Sequence, residues 1–197
     1  KVIAEDKPKT IHFDLTGRAA EESGMICGGV MDIYIEPIVP TPRVLIFGGG
    51  HISLFVSKVS AMVGFQVVVI DDRPQFASQE RFPEAEEVIA EEFLMALPKL
   101  PVNRSAYLVI VTRGHAYDQE VLEWALSKEV KYIGMIGSRK KMQTVYNNLK
   151  EKGFTPDQLQ RVHAPIGLDI GALTPEEIAV SIVAEMIKVR REKKGEK

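Results

Sequence analysis

Three glycines in Phe47-Gly-Gly-Gly-His-Ile-Ser53 stand between an apolar strand-like run and a helix-like segment, the position of a G-x-G-x-x-G phosphate turn. Gly48 permits a tight turn and Gly50 lets backbone approach a phosphate, while amides at a helix start attract negative charge. Ser53 takes the third glycine's place, loosening helix–strand contact and adding a hydroxyl donor. Asp71 follows about 20 residues later at the end of a second strand, where an acid hydrogen-bonds a ribose 2′-hydroxyl. Arg73 instead suits a 2′-phosphate, so the choice of nucleotide stays open. Gly48, Gly49, Gly50, His51, Ser53, Asp71, Asp72 and Arg73 are thus candidate cofactor contacts, against the alternative of a purely structural turn.

Two later strand ends add Thr112-Arg-Gly-His115 and Gly137-Ser-Arg-Lys140. Arg113 and Arg139 carry planar forks suited to bidentate contact with phosphate or carboxylate. Both are expected to project toward the crevice of the glycine turn, with Gly114, His115, Gly137 and Ser138 beside them; the alternative for each arginine is an ion pair with one of the 27 acids. His51 and His115 suit proton transfer or contact with ligand oxygens, or simply a structural hydrogen bond. Cys27 between glycines offers a soft metal ligand and nucleophile, although free cysteine is commonly a buried small apolar residue.

The elements that must position these residues alternate. Val44–Phe47, Val67–Ile70, Val88–Ile89, Tyr107–Val111, Tyr132–Ile136 and Val162–Pro165 read as strands. Helical spacing is expected over His51–Val63, Glu91–Leu97, Asp118–Leu126 and Ser138–Lys150, and a last helix starts at Thr174 with Pro175 and Glu177 forming a capping box. Its face Ala179, Ile182, Val183, Met186 and Ile187 packs on the sheet, and Lys188, Arg190, Arg191, Lys193 and Lys194 complement its dipole. The fold class is α/β, a Rossmann-like doubly wound parallel sheet with ligands expected at the carboxyl ends of the strands where strand order reverses.

Before it, Ile11–Leu15 and Val30–Ile35 alternate as half-buried strands around the turn Gly24–Gly29. Two strands do not make a stable domain alone, so residues 1–40 read as the end of a truncated N-terminal domain. Pro37, Pro40 and Pro42 make a linker, and residues 43–197 form the second domain.

The 197 residues are 45% hydrophobic and 26% charged with a net charge of -2, enough for a core and against non-specific nucleic-acid binding. A single cysteine excludes an internal disulfide and no run approaches the roughly 18 to 20 apolar residues of a membrane span, so a cytoplasmic protein is expected. Lys1 in place of methionine suggests a start inside a longer reading frame.

Seven strings together carry a resemblance. They are Met25-Ile-Cys-Gly-Gly29 with Ile35-Glu-Pro37, Phe47-Gly-Gly-Gly-His51, Val69-Ile-Asp-Asp-Arg-Pro74, Thr112-Arg-Gly-His115, Ile133-Gly-Met-Ile-Gly-Ser-Arg139 and, most distinctive, His163-Ala-Pro-Ile-Gly-Leu-Asp-Ile-Gly171. In this order, over about 11–189, the chain resembles the XdhC/CoxI family of xanthine dehydrogenase accessory factors. The resemblance implies a molybdenum-cofactor (molybdopterin) carrier that protects its cargo during sulfuration and passes it to a xanthine dehydrogenase- or carbon monoxide dehydrogenase-type molybdoenzyme. It further implies a homodimer, a cysteine desulfurase partner, and Cys27 as a contact for molybdenum or its sulfur. It points to a maturation factor rather than an enzyme. An NAD(P)-dependent oxidoreductase using His115 as acid or base, and a nucleotide-sensing module, are the competing classes.

Overall fold

The computed structural model describes residues 8–14, 29–36 and 41–192. Cys27, the turn before Gly29, Pro37, Pro40, Lys193 and Lys194 lie outside the described residues, and so does the side chain of His115. The described residues fall into two compact units, a hairpin and residues 41–192.

In the hairpin, β1 (Lys9–Asp14) runs antiparallel to β2 (Val30–Ile35), with Ile11 opposite Ile33 and Phe13 opposite Met31. Pairing in this register puts Ile11, Phe13, Met31, Ile33 and Ile35 on one face, and His12 bonded to Asp32 at 2.7 Å on the other.

The second unit is a six-stranded parallel sheet. Its strands are β3 (Arg43–Phe47), β4 (Gln66–Asp71), β5 (Glu87–Ala90), β6 (Tyr107–Ile110), β7 (Tyr132–Met135) and β8 (Val162–His163), in the order β5-β4-β3-β6-β7-β8. Helices alternate with them: α1 (His51–Met62), α2 (Phe93–Ala96), α3 (His115–Leu126), α4 (Arg139–Glu151), α5 (Pro156–Gln160) and α6 (Pro175–Arg191). Apolar runs such as Val44–Phe47 are buried throughout because both sheet faces are covered. Leu45, Phe47, Leu108 and Ile110 face a core completed by Leu122 of α3 and Val145 of α4. Val44, Ile46, Val67 and Val109 face the opposite core, completed by Val56 of α1 and Ile182 of α6. Strand order reverses between β3 and β6, so ligands are expected above their carboxyl ends.

Several boundaries differ from the sequence expectation. Helix α3 begins at His115, three residues early, because Gly114 takes the extended N-cap conformation at φ −152° and ψ 155°. The helix expected over 91–97 shortens to α2 and a 3₁₀ turn, Leu97–Lys99, since the Glu91 amide still pairs with the Asp71 carbonyl. Strand β8 keeps only two residues. Helix α5 was not expected, yet Thr155, Pro156 and Gln158 form a capping box like that of Thr174 and Glu177 on α6.

Candidate functional site

Strand β3 hands the chain to α1 through glycines 48–50, and each glycine does something different. Gly48 has φ +111°, and a Cβ there would lie 2.5 Å from the Val111 carbonyl oxygen on the neighbouring β6 side. A Cβ at Gly49 would lie 2.0 Å from the Phe76 carbonyl oxygen. Only at Gly50, the N-cap of α1, would a Cβ meet nothing within 4 Å. The chain's own backbone therefore fills the space beside the first two, and a ligand has room only beside the third.

The amides divide likewise. Gly48 donates to the Ile70 carbonyl at 2.7 Å, and Gly49 donates to Asp71 Oδ2 at 2.7 Å. Neither is free for an anion, contrary to the expectation of a bare turn. Helix α1, by contrast, has no side-chain cap, so the amides of its first turn keep their donor capacity. Ser53 is fully buried and its hydroxyl donates to the Gly48 carbonyl at 2.5 Å. It locks the turn instead of offering a donor to a ligand.

Asp71 also serves the turn. Its side chain is buried and accepts from the Gly49 amide, from the Arg73 amide at 3.0 Å, and from Arg73 Nε at 2.8 Å and Nη2 at 2.9 Å. Burial opposes ionisation of this carboxyl, but the hydrogen bonds from Arg73 and Gly49 outweigh it and hold the carboxyl below its usual range. A ribose hydroxyl would find both oxygens engaged. The fork of Arg73 is equally spent: it pairs bidentately with Asp71 and lies over the Phe76 ring, 3.8 Å from its centroid. Its bidentate edge is therefore taken, and a 2′-phosphate would meet only the remaining Nη donors.

Asp72 and Arg113 carry the open chemistry. Arg113 Nη2 donates to Asp72 Oδ2 at 2.6 Å and to the Tyr117 hydroxyl at 3.3 Å, with the side chain 44% exposed. Asp72 is only 6% exposed, and its Oδ1 has no hydrogen-bond partner; Arg73 Nε stands 3.8 Å away. Asp72 follows β4 and Arg113 follows β6, the two neighbours of β3. Their ion pair therefore crosses the carboxyl end of β3, where the glycine turn leaves the sheet.

The remaining candidates split into ligand-accessible and structural. His51 and Arg139 are exposed at the first positions of α1 and α4, and neither forms an ion pair among the described residues. Gly114 is the uncapped N-cap of α3, its amide 3.4 Å from Thr112 Oγ1. Ser138 caps α4 by accepting from the Lys141 amide at 3.3 Å. Gly137 makes room for a side chain, since a Cβ there would lie 2.8 Å from Lys141 Cδ.

That lysine was not singled out from sequence, nor was its partner. Lys141 Nζ bonds the fully buried Asp118, whose Oδ1 accepts from the Thr112 hydroxyl at 2.7 Å and the Thr112 amide at 3.2 Å. An acid in the first turn of a helix after a strand was the available signal; its partner 23 residues away was not. Beside this pair, Gln119 of α3, and Ser138, Thr144 and Asn148 at and along α4, line a cleft of about 420 Å³, one strand over from the glycine turn. Among the described residues no three His, Cys, Asp or Glu side chains gather as a metal set.

The XdhC Rossmann domain family matches residues 44–186. The uncharacterized protein YqeB of Escherichia coli is 31% identical over 196 residues, covering 99% of this chain and 36% of that protein. A Bacillus subtilis protein described as a probable subunit of xanthine dehydrogenase is 32% identical over 163 residues, covering 81% of this chain and 46% of that protein. A crystal structure titled as a xanthine dehydrogenase of Bacillus halodurans superposes with a TM-score of 0.69 at 32% identity, covering 85% of this chain and 47% of that one. The chain thus spans between about a third and about a half of these relatives' lengths. A doubly wound sheet, a glycine turn at its switch point and a family match across nearly the whole second unit lead to one conclusion: this chain belongs to the XdhC family, of which it carries the Rossmann domain.

Proposed function

We propose that the chain is an accessory factor of a xanthine dehydrogenase-type molybdoenzyme and holds the molybdenum cofactor, its cargo, by the terminal phosphate at the start of α1. The observation that carries this is the combination at Gly50: open space where a side chain would stand, beside an uncapped helix start at the switch point of the sheet. Arg113 stands exposed after β6, beside β3, and Arg139 stands exposed at the start of α4, one strand further out; both supply guanidinium forks for further anionic oxygens. In this role the protein binds, orients and shields; it needs no acid–base pair. Sulfuration of the cargo by a cysteine desulfurase, transfer to the client enzyme and a homodimeric state belong to the same proposal, as does a Cys27 contact with molybdenum or its sulfur.

The test is mass spectrometry under non-denaturing conditions with molybdopterin cofactor or NAD(P) added. A retained cofactor mass with the native chain and its loss with Gly50→Asp are expected, because the new Cβ meets no protein atom within 4 Å and an N-cap carboxylate takes the first-turn amides that the phosphate would use. Full retention by Gly50→Asp would remove the proposed site.

One observation favours a second reading, an NAD-binding sensory module. The unpartnered Oδ1 of Asp72 lies after β4, where dinucleotide-binding folds keep a ribose acceptor. NAD binding without cofactor binding would select it, and hydride transfer to a small carbonyl would select an oxidoreductase instead.

A further inference from the structure

We infer that Asp72 and Arg113 form an exchangeable latch over the glycine turn that selects ligands joining an anion to a hydrogen-bond donor. This inference rests on the ligand-binding crevice proposed above, and it assigns that crevice a specificity-determining pair.

Three observations carry it. The pair bridges the loops on either side of β3 at 2.6 Å, so an anion reaching the start of α1 enters beneath or beside it. Among the described residues Arg113 is anchored by Asp72 Oδ2 and by Tyr117 alone, and it is 44% exposed, so its fork can turn to a ligand. Asp72 is more than nine-tenths buried, at 6% exposure, and its Oδ1 has no donor, a cost that a ligand N–H or O–H would remove.

Asp71 makes the contrast sharp. Its two oxygens are satisfied by Gly49 and Arg73 and stay with the turn whether or not a ligand arrives. Asp72 holds one satisfied oxygen and one orphan. When a ligand anion takes Arg113, Asp72 loses its main donor and has two oxygens to satisfy. A ligand that brings hydroxyl or amino donors to that place completes the exchange; the amino and ring N–H groups of a pterin, or the diol of a ribose, are of this kind. A ligand that brings a second phosphate there meets a buried carboxylate with Arg73 already committed, and is rejected.

The experiment titrates the full chain with two probes, inorganic pyrophosphate and molybdopterin, in the native protein, Asp72→Asn, Arg113→Ala and the double variant. Asp72→Asn frees Arg113 and removes a like charge, so pyrophosphate is expected to bind about tenfold tighter, from the size of one charge-assisted hydrogen bond. In the Arg113→Ala background that gain is expected to shrink to the part left by losing a like charge, because the rest acts through the freed Arg113. The molybdopterin-to-pyrophosphate affinity ratio is expected to fall by more than about tenfold in Asp72→Asn, because the pyrophosphate gain is joined by the loss of a carboxylate acceptor for the ligand's donors. A merely structural Asp72 would weaken both probes together, and that result would overturn the latch. So would a pyrophosphate gain that is undiminished without Arg113, or no pyrophosphate binding by either the native chain or Asp72→Asn. If pyrophosphate shows the coupled response while molybdopterin does not bind at all, the carrier proposal fails and the latch stands. Thermal melting of each variant confirms that the fold is kept.

Discussion

Adjacent aspartates at the end of β4 differ in how far the fold satisfies them, and the part played by Asp71 can be read from stability. Asp71 ionises more readily in the folded protein than in the unfolded chain, where its value is near 3.8. The stability it contributes is therefore complete above that value and is lost as the pH falls through the lower folded value. Asp71→Asn keeps the size but gives the Gly49 amide and the Arg73 fork a poorer partner. It is expected to cost about 2 to 4 kcal/mol at neutral pH, as expected for breaking a buried pair from one side. Urea unfolding at a series of pH values should also show a shallower loss on the acid side than in the native chain. Equal acid slopes would mean that Asp71 is not the group holding the turn by charge.

At the level of elements, the loops around the site are tied from below. Asp118 in α3 and Lys141 in α4 join the loops after β6 and β7 through Thr112 and the Ile136 carbonyl. Lys141→Met strands a buried carboxylate, so a loss of about 3 to 5 kcal/mol is expected in chemical denaturation. A loss below about 1 kcal/mol would show that the pair is dispensable. The distinctive segment from His163 has a comparable structural role. Glu185 of α6 accepts from the Tyr132 hydroxyl at 2.5 Å and the Gly167 amide at 2.9 Å, and His163 Nδ1 lies 3.3 Å from it. Burial disfavours the Glu185 charge, but these partners lower its pKa overall, while burial first and Glu185 second raise that of Tyr132. Gly167 has φ +96° and a Cβ there would lie 2.2 Å from Ser181 Oγ, so the glycine is fixed by packing against α6. In α1, the hydroxyls of Ser57 and Ser60 are buried without a partner. Ser60→Ala is expected to raise stability by about 1 kcal/mol, readable as a higher denaturation midpoint, because an orphan hydroxyl is removed at little cost in packing.

The two units of the molecule differ in self-sufficiency. Both cores of the parallel sheet are built from residues 44–189 alone. A fragment of residues 41–192 is therefore expected to unfold in one cooperative transition, and circular dichroism on heating checks this; a fragment with no sigmoidal melt would refute it. Among the described residues the hairpin shows no such core. Phe13, Met31, Ile33 and Ile35 are all exposed on one face, and a two-stranded sheet of this size is marginal in water. No helix among the described residues is long and apolar enough to cross a membrane.

Local pattern determined much of this protein. Continuous apolar runs such as Val44–Phe47 and Val67–Ile70 imply strands covered on both faces, and their alternation with helical spacing implies the doubly wound sheet. Thr174, Pro175 and Glu177 mark the start of α6 because capping is settled within one helical turn. The glycine turn and the acids after β4 were legible for the same reason, as was the family through the order of its short strings. What each residue does was not. Asp71, Arg73 and Ser53 share the right spacing for ligand contact, yet the fold consumes them within the turn. Asp72 and Arg113 are 41 residues apart and meet only because β4 and β6 flank β3. Hydrogen-bond capacity is finite, so which group faces a ligand depends on which partners tertiary packing has already supplied.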